Sequence, residues 1–123
     1  MVEVFFFDTY AFFEIIEGNP NYQPYLKDIA IITTKLNLME LYYGLLKKFD
    51  KIIADKHYDI LIKFSIDIDD ATIKDAMLFR LANSSKNLSY IDCIGYLISR
   101  RNGVKFLTGD KEFSGMENVE FVK

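Results

Sequence analysis

Apolar and polar positions follow one another in short blocks whose period changes along the chain. Val2–Phe7 is an almost continuous apolar run, the pattern of a strand covered on both faces. It stops at Asp8-Thr9, and Tyr10–Glu17 then reads as a helix closed by Gly18-Asn19-Pro20. Ile29–Thr33, rich in β-branched residues, predicts a second buried strand. Thr34 is placed to cap a helix from Lys35 to Lys48, with Leu38, Leu41, Leu45 and Phe49 recurring at spacings of three and four. Asp50 is placed to cap a further helix running to Lys63, with Ile52, Ile53, Ile60 and Leu61 as its apolar side. Phe64–Ile68 predicts a short strand, and Asp69 an N-cap for a helix over Asp70–Ala82 striped by Ile73, Met77, Leu78 and Leu81. Ser89 opens a helix through Arg101 that stops at Asn102-Gly103. Val104–Leu107 and Val119–Val122 read as the last two strands, with one helical turn at Lys111–Phe113 between them.

Strands separated by helices predict an α/β fold with a mostly parallel sheet between two helical layers. No linker, repeat or low-complexity tract interrupts the pattern, so residues 1–123 are expected to form a single domain. In such sheets, ligands sit beyond the C-terminal strand ends, where the strand order reverses. Asp8 and Asp110 each fall just after a predicted strand.

Composition narrows the function classes. With 15 basic and 18 acidic side chains the net charge is −3, so the basic field of a module that grips nucleic acid through phosphates alone is missing. The lone Cys93 excludes an internal disulfide and a multi-cysteine zinc site, in keeping with a reducing cytoplasm. The apolar N-terminus is broken by Glu3, Asp8 and Glu14 and lacks a basic leader and a small-residue cleavage site, so a secretory signal is not expected. Nor does any apolar run approach the ~18 residues of a membrane span.

Four carboxylates then stand out: Asp8, Glu40, Asp92 and Asp110. If they converge they repel, by about 4 kcal/mol per pair at 4 Å and an effective dielectric of 20. An all-oxygen set of this kind is compensated by a hard divalent cation, Mg²⁺ or Mn²⁺, and serves phosphoryl transfer well. Each acid also has a structural explanation. Ser89-Tyr90-Ile91-Asp92 makes a capping box with Asp in the Glu place. Glu40 suits a solvated helix position, and Asp110 after Gly109 suits a turn. Asp8 is the hardest to dismiss, since a charge that ends a run of three Phe is poorly placed without a task.

The order of these motifs resembles the PIN domain, the small ribonuclease fold used by VapC-type toxins. A hydrophobic strand ends in Phe7-Asp8-Thr9; an acid precedes a glycine on a helix, Glu40-Leu41-Tyr42-Tyr43-Gly44. A third acid opens a helix, Asp92-Cys93-Ile94-Gly95, and a strand leads into Thr108-Gly109-Asp110-Lys111-Glu112-Phe113. The match runs in order from Val4 to Phe113. The resemblance implies an α/β/α sandwich and Mg²⁺- or Mn²⁺-dependent endonucleolytic cleavage of RNA. Asp8, Glu40, Asp92 and Asp110 would be the metal-binding and catalytic acids, with Thr9 and Thr108 supporting them through hydrogen bonds. It also implies a homodimer and an antitoxin partner whose basic side chain enters the acidic pocket. Many relatives carry a second acid after the last Asp; here that place offers Lys111 and Glu112. With four acids assigned to metal, the remaining charges are nearly matched and no longer oppose RNA.

Arg100, Arg101, Lys105 and Lys111 are candidates for gripping RNA phosphates, while arginines in a last helical turn also suit the helix dipole. His57 reads as a surface residue and Cys93 as a small buried hydrophobe. Asp69 as a cap and Asp70–Lys74 as an i,i+4 pair account for most of the Asp67, Asp69 and Asp70 cluster. The aromatic-rich Phe12-Phe13 and Tyr42-Tyr43 suit core, with any surplus free for a partner. A catalytically inactive PIN-like module acting through metal and partner binding is the competing function. A phospho-receiver needs an acidic pair after the first strand, and an Asp-x-Asp phosphatase needs an acid at position 10; Thr9 and Tyr10 fit neither.

Overall fold

The computed structural model describes residues 2–123; Met1 lies outside the described residues. Four strands form the centre: β1 (Glu3–Phe7), β2 (Ile29–Ile32), β3 (Lys105–Thr108) and β4 (Val119–Phe121). Their order is β2-β1-β3-β4, and all neighbours pair in parallel. Helices α1 (Thr9–Ile16), α2 (Lys35–Lys48) and α3 (Lys51–Leu61) cover one face, and α4 (Asp70–Ala82) and α5 (Tyr90–Arg101) the other. The expected three-layer α/β/α arrangement is therefore found. Among the described residues no helix is long and apolar enough to cross a membrane.

The unbroken Phe run is explained by this double cover. Successive strand side chains point to opposite faces, so Phe5 and Phe7 pack with Leu38, Leu41, Leu45 and Phe12, while Phe6 packs with Phe106, Cys93 and Tyr96. All three phenylalanines are buried, and each such side chain contributes about 1.5–3 kcal/mol by leaving water. Caps fix the helix starts as their residue types suggest: Thr34 accepts from the Asn37 amide at 3.1 Å, Asp50 from Ile53 at 2.8 Å and Asp69 from Thr72 at 2.8 Å.

Three expectations are corrected. Phe64–Ile68 is not a strand: Ile62–Phe64 is a 3₁₀ turn, and only Thr33 and Ser65 form an isolated parallel bridge. On either side of that bridge one of the two chains is helical, so the ladder has nowhere to extend. A second 3₁₀ segment, Pro20–Tyr25, follows α1, and its buried Tyr22 hydroxyl donates to the Val122 carbonyl at 2.7 Å, tying down the end of β4. The apolar sides of α3 and α4 also differ. Ile52 is 80% and Leu81 74% exposed, and the buried positions are Ala54 on α3 and Thr72 and Ala76 on α4. Small residues let these helices lie close to the layers beneath, which leaves the larger side chains outside the contact.

Glycine has the same use on α2 and α5. A β-carbon on Gly44 would stand 2.1 Å from Phe13 Cζ, and one on Gly95 2.8 Å from Phe6 Cε1. Gly44 lies one turn beyond Glu40 and Gly95 one turn beyond Asp92, so each helix is drawn in beside its acid. Gly95→Ala is predicted to lower the unfolding free energy by about 1–2 kcal/mol through overpacking against Phe6. This is opposite in sign to the helix-propensity gain of about 1 kcal/mol at an open site. Urea unfolding followed by circular dichroism reads the sign, and a stabilised variant would refute the close-approach argument.

Candidate active site

The sheet order reverses between β1 and β3: the chain leaves β1 for β2 on one side, and β3 lies on the other. Asp8 follows β1 and Asp110 lies two residues past β3, so both stand at this switch point, where loops part and leave room for a ligand. They share a cleft of about 650 Å³ with Glu40 and Asp92, lined also by Thr9, Tyr10, Tyr43 and Lys47.

Asp8 is 3% exposed. It occupies the N-cap position of α1 yet its side chain makes no capping bond. Instead the Thr108 hydroxyl donates to Oδ2 at 2.8 Å, and the Asp8 amide donates to the Leu107 carbonyl at 3.1 Å, locking the ends of β1 and β3 together. Asp8 Oδ1 is the one buried side-chain N or O atom without a hydrogen-bond partner among the described residues. Leaving such an oxygen dry and unpaired costs about 1–3 kcal/mol, more when charged. Burial, reinforced by the negative charge of Asp92 and opposed by the Thr108 bond, pushes the Asp8 carboxyl up to about 8.

The other three acids are each held by one oxygen. Thr9 donates to Glu40 Oε1 at 2.6 Å. The Ser89 amide donates to Asp92 Oδ2 at 2.9 Å while the Asp92 amide donates to Ser89 Oγ at 3.0 Å, so the expected capping box is present. The Glu112 amide donates to Asp110 Oδ1 at 3.0 Å. Among the described residues the second oxygen of each carboxylate accepts no hydrogen bond. Burial raises Asp92 to about 6 despite its Ser89 bonds, with the charges of Asp110 and Glu40 adding to the shift.

Among the described residues no three His, Cys, Asp or Glu side chains are gathered closely enough to hold a metal ion as they stand. Uncompensated carboxylates repel, and each is turned aside onto its own donor. The donor set nevertheless fits a hard divalent cation: every ligand is a carboxylate oxygen, and the buried, unpartnered Asp8 Oδ1 lacks the counter-charge that such an ion brings.

A residue that the sequence does not single out joins this cluster. Asn37 on α2 is fully buried. Thr34 donates to its Oδ1 at 2.7 Å, which orients the amide, and its Nδ2 donates to Thr9 Oγ1 at 3.2 Å. With one lone pair of Thr9 so used, its single proton is directed to Glu40. Asn37 stands three residues before Glu40, a helical neighbour, and that spacing was the available signal.

Three of the four expected basic residues lie away from the cleft. Arg101, in the last turn of α5, is about 14 Å along the helix from Asp92; it pairs with Asp69 at 3.5 Å and with Asp75. Arg100 lies over the Tyr96 ring at 5.9 Å. Lys105 starts β3, at the opposite end of the strand from Asp110, and pairs with Glu120 at 3.6 Å. Lys111 is exposed beside Asp110 and does not line the cleft. Glu112 turns away, its Oε1 accepting from the Asn87 amide at 2.7 Å. The basic side chains that do line the cleft are Lys47 and Arg80. His57 is half-buried on α3 outside it, and Cys93 is buried in the core, its thiol pushed up to about 11 chiefly by burial.

Residues 5–119 match the family model described as PIN domain. No curated protein matches the chain by sequence. Solved structures share its fold at low identity. VapC20 of Mycobacterium tuberculosis, described as a sarcin-ricin loop cleaving toxin, has 16% identity and a TM-score of 0.82, covering 97% of this chain and 99% of its own. A toxin-antitoxin complex from Klebsiella pneumoniae has 18% identity and a TM-score of 0.74, with 94% of each chain covered. VapBC2 of Rickettsia felis, bound to a promoter DNA fragment, has 18% identity and a TM-score of 0.71, over 98% of this chain and 99% of that one.

Asp8 makes the metal-free fold sensitive to pH. Its folded pKa, about 8, lies above its ordinary value of 3.8, so the folded state holds a proton that the unfolded state gives up in that interval. The stability this provides is fully present below about 4 and is lost as pH rises towards 8. In EDTA, Tm of the native protein should therefore fall from pH 5 to pH 8, and Asp8→Asn should flatten that fall. Parallel Tm profiles for the two proteins would refute the assignment.

Proposed function

This chain belongs to the PIN domain family, and from that premise we propose that it is a metal-dependent endoribonuclease, the toxin of a toxin–antitoxin pair. The observation that carries the reading is the buried Asp8 carboxylate at the sheet switch point, one oxygen unpartnered, in a cleft with three further acids. PIN nucleases use divalent ions, and Asp8, Glu40, Asp92 and Asp110 are the residues that would hold Mg²⁺ or Mn²⁺ here. When bound, such an ion supplies Lewis acidity towards water and the phosphodiester, together with neutralising charge.

The chain's own residues prepare the site. Thr108 holds Asp8 by Oδ2 and so presents Oδ1. Asn37 and Thr9 fix Glu40, and the Ser89 box fixes Asp92 on the rigid first turn of α5. Held on strand ends and helices, the acids lose little freedom on closing around a cation, which favours a defined geometry at the scissile phosphate.

The names of the similar structures supply the biological side of the proposal: a toxin that cleaves the sarcin-ricin loop, and toxins found with their antitoxins. For this chain we infer an RNA substrate, an antitoxin that covers the acidic cleft with a basic side chain, a homodimer, residues 1–123 acting as one domain, and a cytoplasmic location. The separation of the carboxylates favours a second reading, a PIN-like module without catalysis that binds metal and partner.

Purified protein is expected to cut RNA with Mg²⁺ or Mn²⁺ and to stop in EDTA. Asp8→Asn and Asp92→Asn should each lower kcat by more than about 100-fold, beyond the losses typical of residues behind the ligands. Cleavage that survives chelation and both substitutions rejects the nuclease reading. A folded protein that cuts no member of a broad RNA panel supports the inactive module. Asn37→Ala should weaken Mn²⁺ binding, read by calorimetry, about 10- to 100-fold while the circular dichroism spectrum is kept. Unchanged affinity would remove Asn37 from the site.

A further inference from the structure

Glu112 is a fifth acid beside the cleft, two residues after Asp110, and the chemistry proposed above does not use it. Its side chain runs away from the other acids. Oε1 accepts from the Asn87 amide at 2.7 Å, and the Glu112 carbonyl accepts from Lys86 Nζ at 3.3 Å. Lys86 and Asn87 belong to the loop that joins α4 to α5. Among the described residues, both hydrogen bonds between this loop and the turn after β3 end on Glu112. Leu88 and Ser89 follow directly and line the cleft together with Asn87.

The two sides joined by Glu112 differ in how firmly each is held. The turn is built into the fold: Phe113 is fully buried against Tyr96 and Phe106, and the Asp110 amide donates to Thr108 Oγ1 at 3.1 Å. A β-carbon on Gly109 would stand 2.3 Å from both Tyr10 Cε1 and the Val122 carbonyl oxygen, so the turn has no room to shift. Loop residues 84–87 are exposed, and their one internal backbone bond among the described residues runs from the Lys86 amide to the Asn83 carbonyl at 2.9 Å. Two groups reach the site from this loop. The Leu88 carbonyl accepts from Arg80 Nε at 3.0 Å, and Ser89 forms the capping box with Asp92. A continuous path therefore runs from Asp8 through Thr108, Asp110, Glu112 and the Asn87–Ser89 backbone to Asp92.

We propose that Glu112 is a positioning residue: it latches the α4–α5 loop to the turn after β3 and so sets Asp92 and Arg80 in place relative to Asp110. The proposal rests on the metal-dependent reading of the cleft and adds a residue to it. A carboxylate that accepts a backbone amide makes a charge-assisted bond, stronger than a neutral one. With Oε1 engaged in this way, Glu112 acts through Asn87 and touches neither cation nor substrate. Ligand geometry is set by the groups behind the ligands, and Glu112 stands behind two acids at once. Its amide holds Asp110 Oδ1 at 3.0 Å while its side chain holds the segment that caps Asp92.

Three substitutions separate a latch from a ligand. Glu112→Gln keeps an acceptor oxygen in place and loses the charge. Glu112→Asp keeps the charge and draws it back by one methylene, and Glu112→Ala removes both. In EDTA, hydrogen exchange at the Asn87 amide should quicken by about 10-fold or more in E112D and E112A and stay closer to native in E112Q. Titration calorimetry should show Mn²⁺ binding weakened about 10- to 100-fold by E112D and E112A, and held within about 3-fold of native by E112Q. Circular dichroism checks that each variant is folded. A ligand gives the opposite order, with E112D binding Mn²⁺ better than E112Q, and that order would overturn the proposal. So would native exchange in all three, quickened exchange with unchanged Mn²⁺ affinity, or a native protein that takes up no Mn²⁺. Cleavage enters none of these readouts. The expected order in a protein that cuts no RNA would sink the ribonuclease reading and leave the latch standing.

Discussion

The structure depends on one unfavourable arrangement, a carboxylate buried at the end of a strand that closes in three phenylalanines. Asp8 comes directly after Phe5, Phe6 and Phe7, which are covered on both faces by helices, so although it lines the cleft its side chain is almost entirely withdrawn from water. Thr108 and the Leu107 carbonyl secure the residue, yet one oxygen stays unsatisfied. A chain optimised for stability alone would place a neutral acceptor there, because a polar group of the same shape that is neutral carries no charge-desolvation cost. Retaining the acid at the junction of β1 and β3 is intelligible if the missing counter-charge arrives with a ligand.

The neighbouring acids show how a small fold supports such a site without collapsing around it. Glu40, Asp92 and Asp110 each spend one oxygen on the architecture: a threonine, a capping box and a 3₁₀ turn. The second oxygen of each is left to the cleft. Capping leaves Asp92 chemically available: the bond from the Ser89 amide engages Oδ2 and leaves Oδ1 without a protein partner among the described residues. The hydrogen bonds from Thr108 and Ser89 favour the charged forms and offset part of the burial and mutual repulsion that raise Asp8 and Asp92.

Most of the fold was legible because its signals are local. A six-residue apolar run, β-branched clusters and Thr34, Asp50, Asp69 and Ser89 as caps depend on near neighbours in sequence, and the strands and helices they predict are present. Asp8, Asp92 and Asp110 were legible by their place at strand ends and a first helical turn, and Glu40, inside α2, only by the order of the motifs. What was not legible depends on tertiary distance. Phe64–Ile68 has strand composition, but its partner chain turns helical after Thr33. Arg100, Arg101 and Lys105 are close in sequence to Asp110, yet a helix and a strand carry them to the opposite end of the sheet. Arg80 reaches the cleft from α4, thirty residues before Asp110, and no local pattern announces it.

The misjudged stripes on α3 and α4 have the same origin as the placement of the acids. Period alone identifies the apolar face of a helix only when large side chains make the contact. Here the closest approaches are made by Ala54, Ala76, Gly44 and Gly95, and volume is supplied from the other side by phenylalanines of β1 and α1. Phe6 fills the space that a side chain at position 95 would need, and Phe13 the space at position 44. The aromatic richness of β1 and α1 and the small residues of the surrounding helices are thus one packing solution. A side chain at 44 or 95 would collide with the Phe13 or Phe6 ring, so ring or helix must shift, and each position stands one turn from an acid. Small residues on the helices and large rings on β1 and α1 thus bring the two acid-bearing helices close to the phenylalanines beneath them.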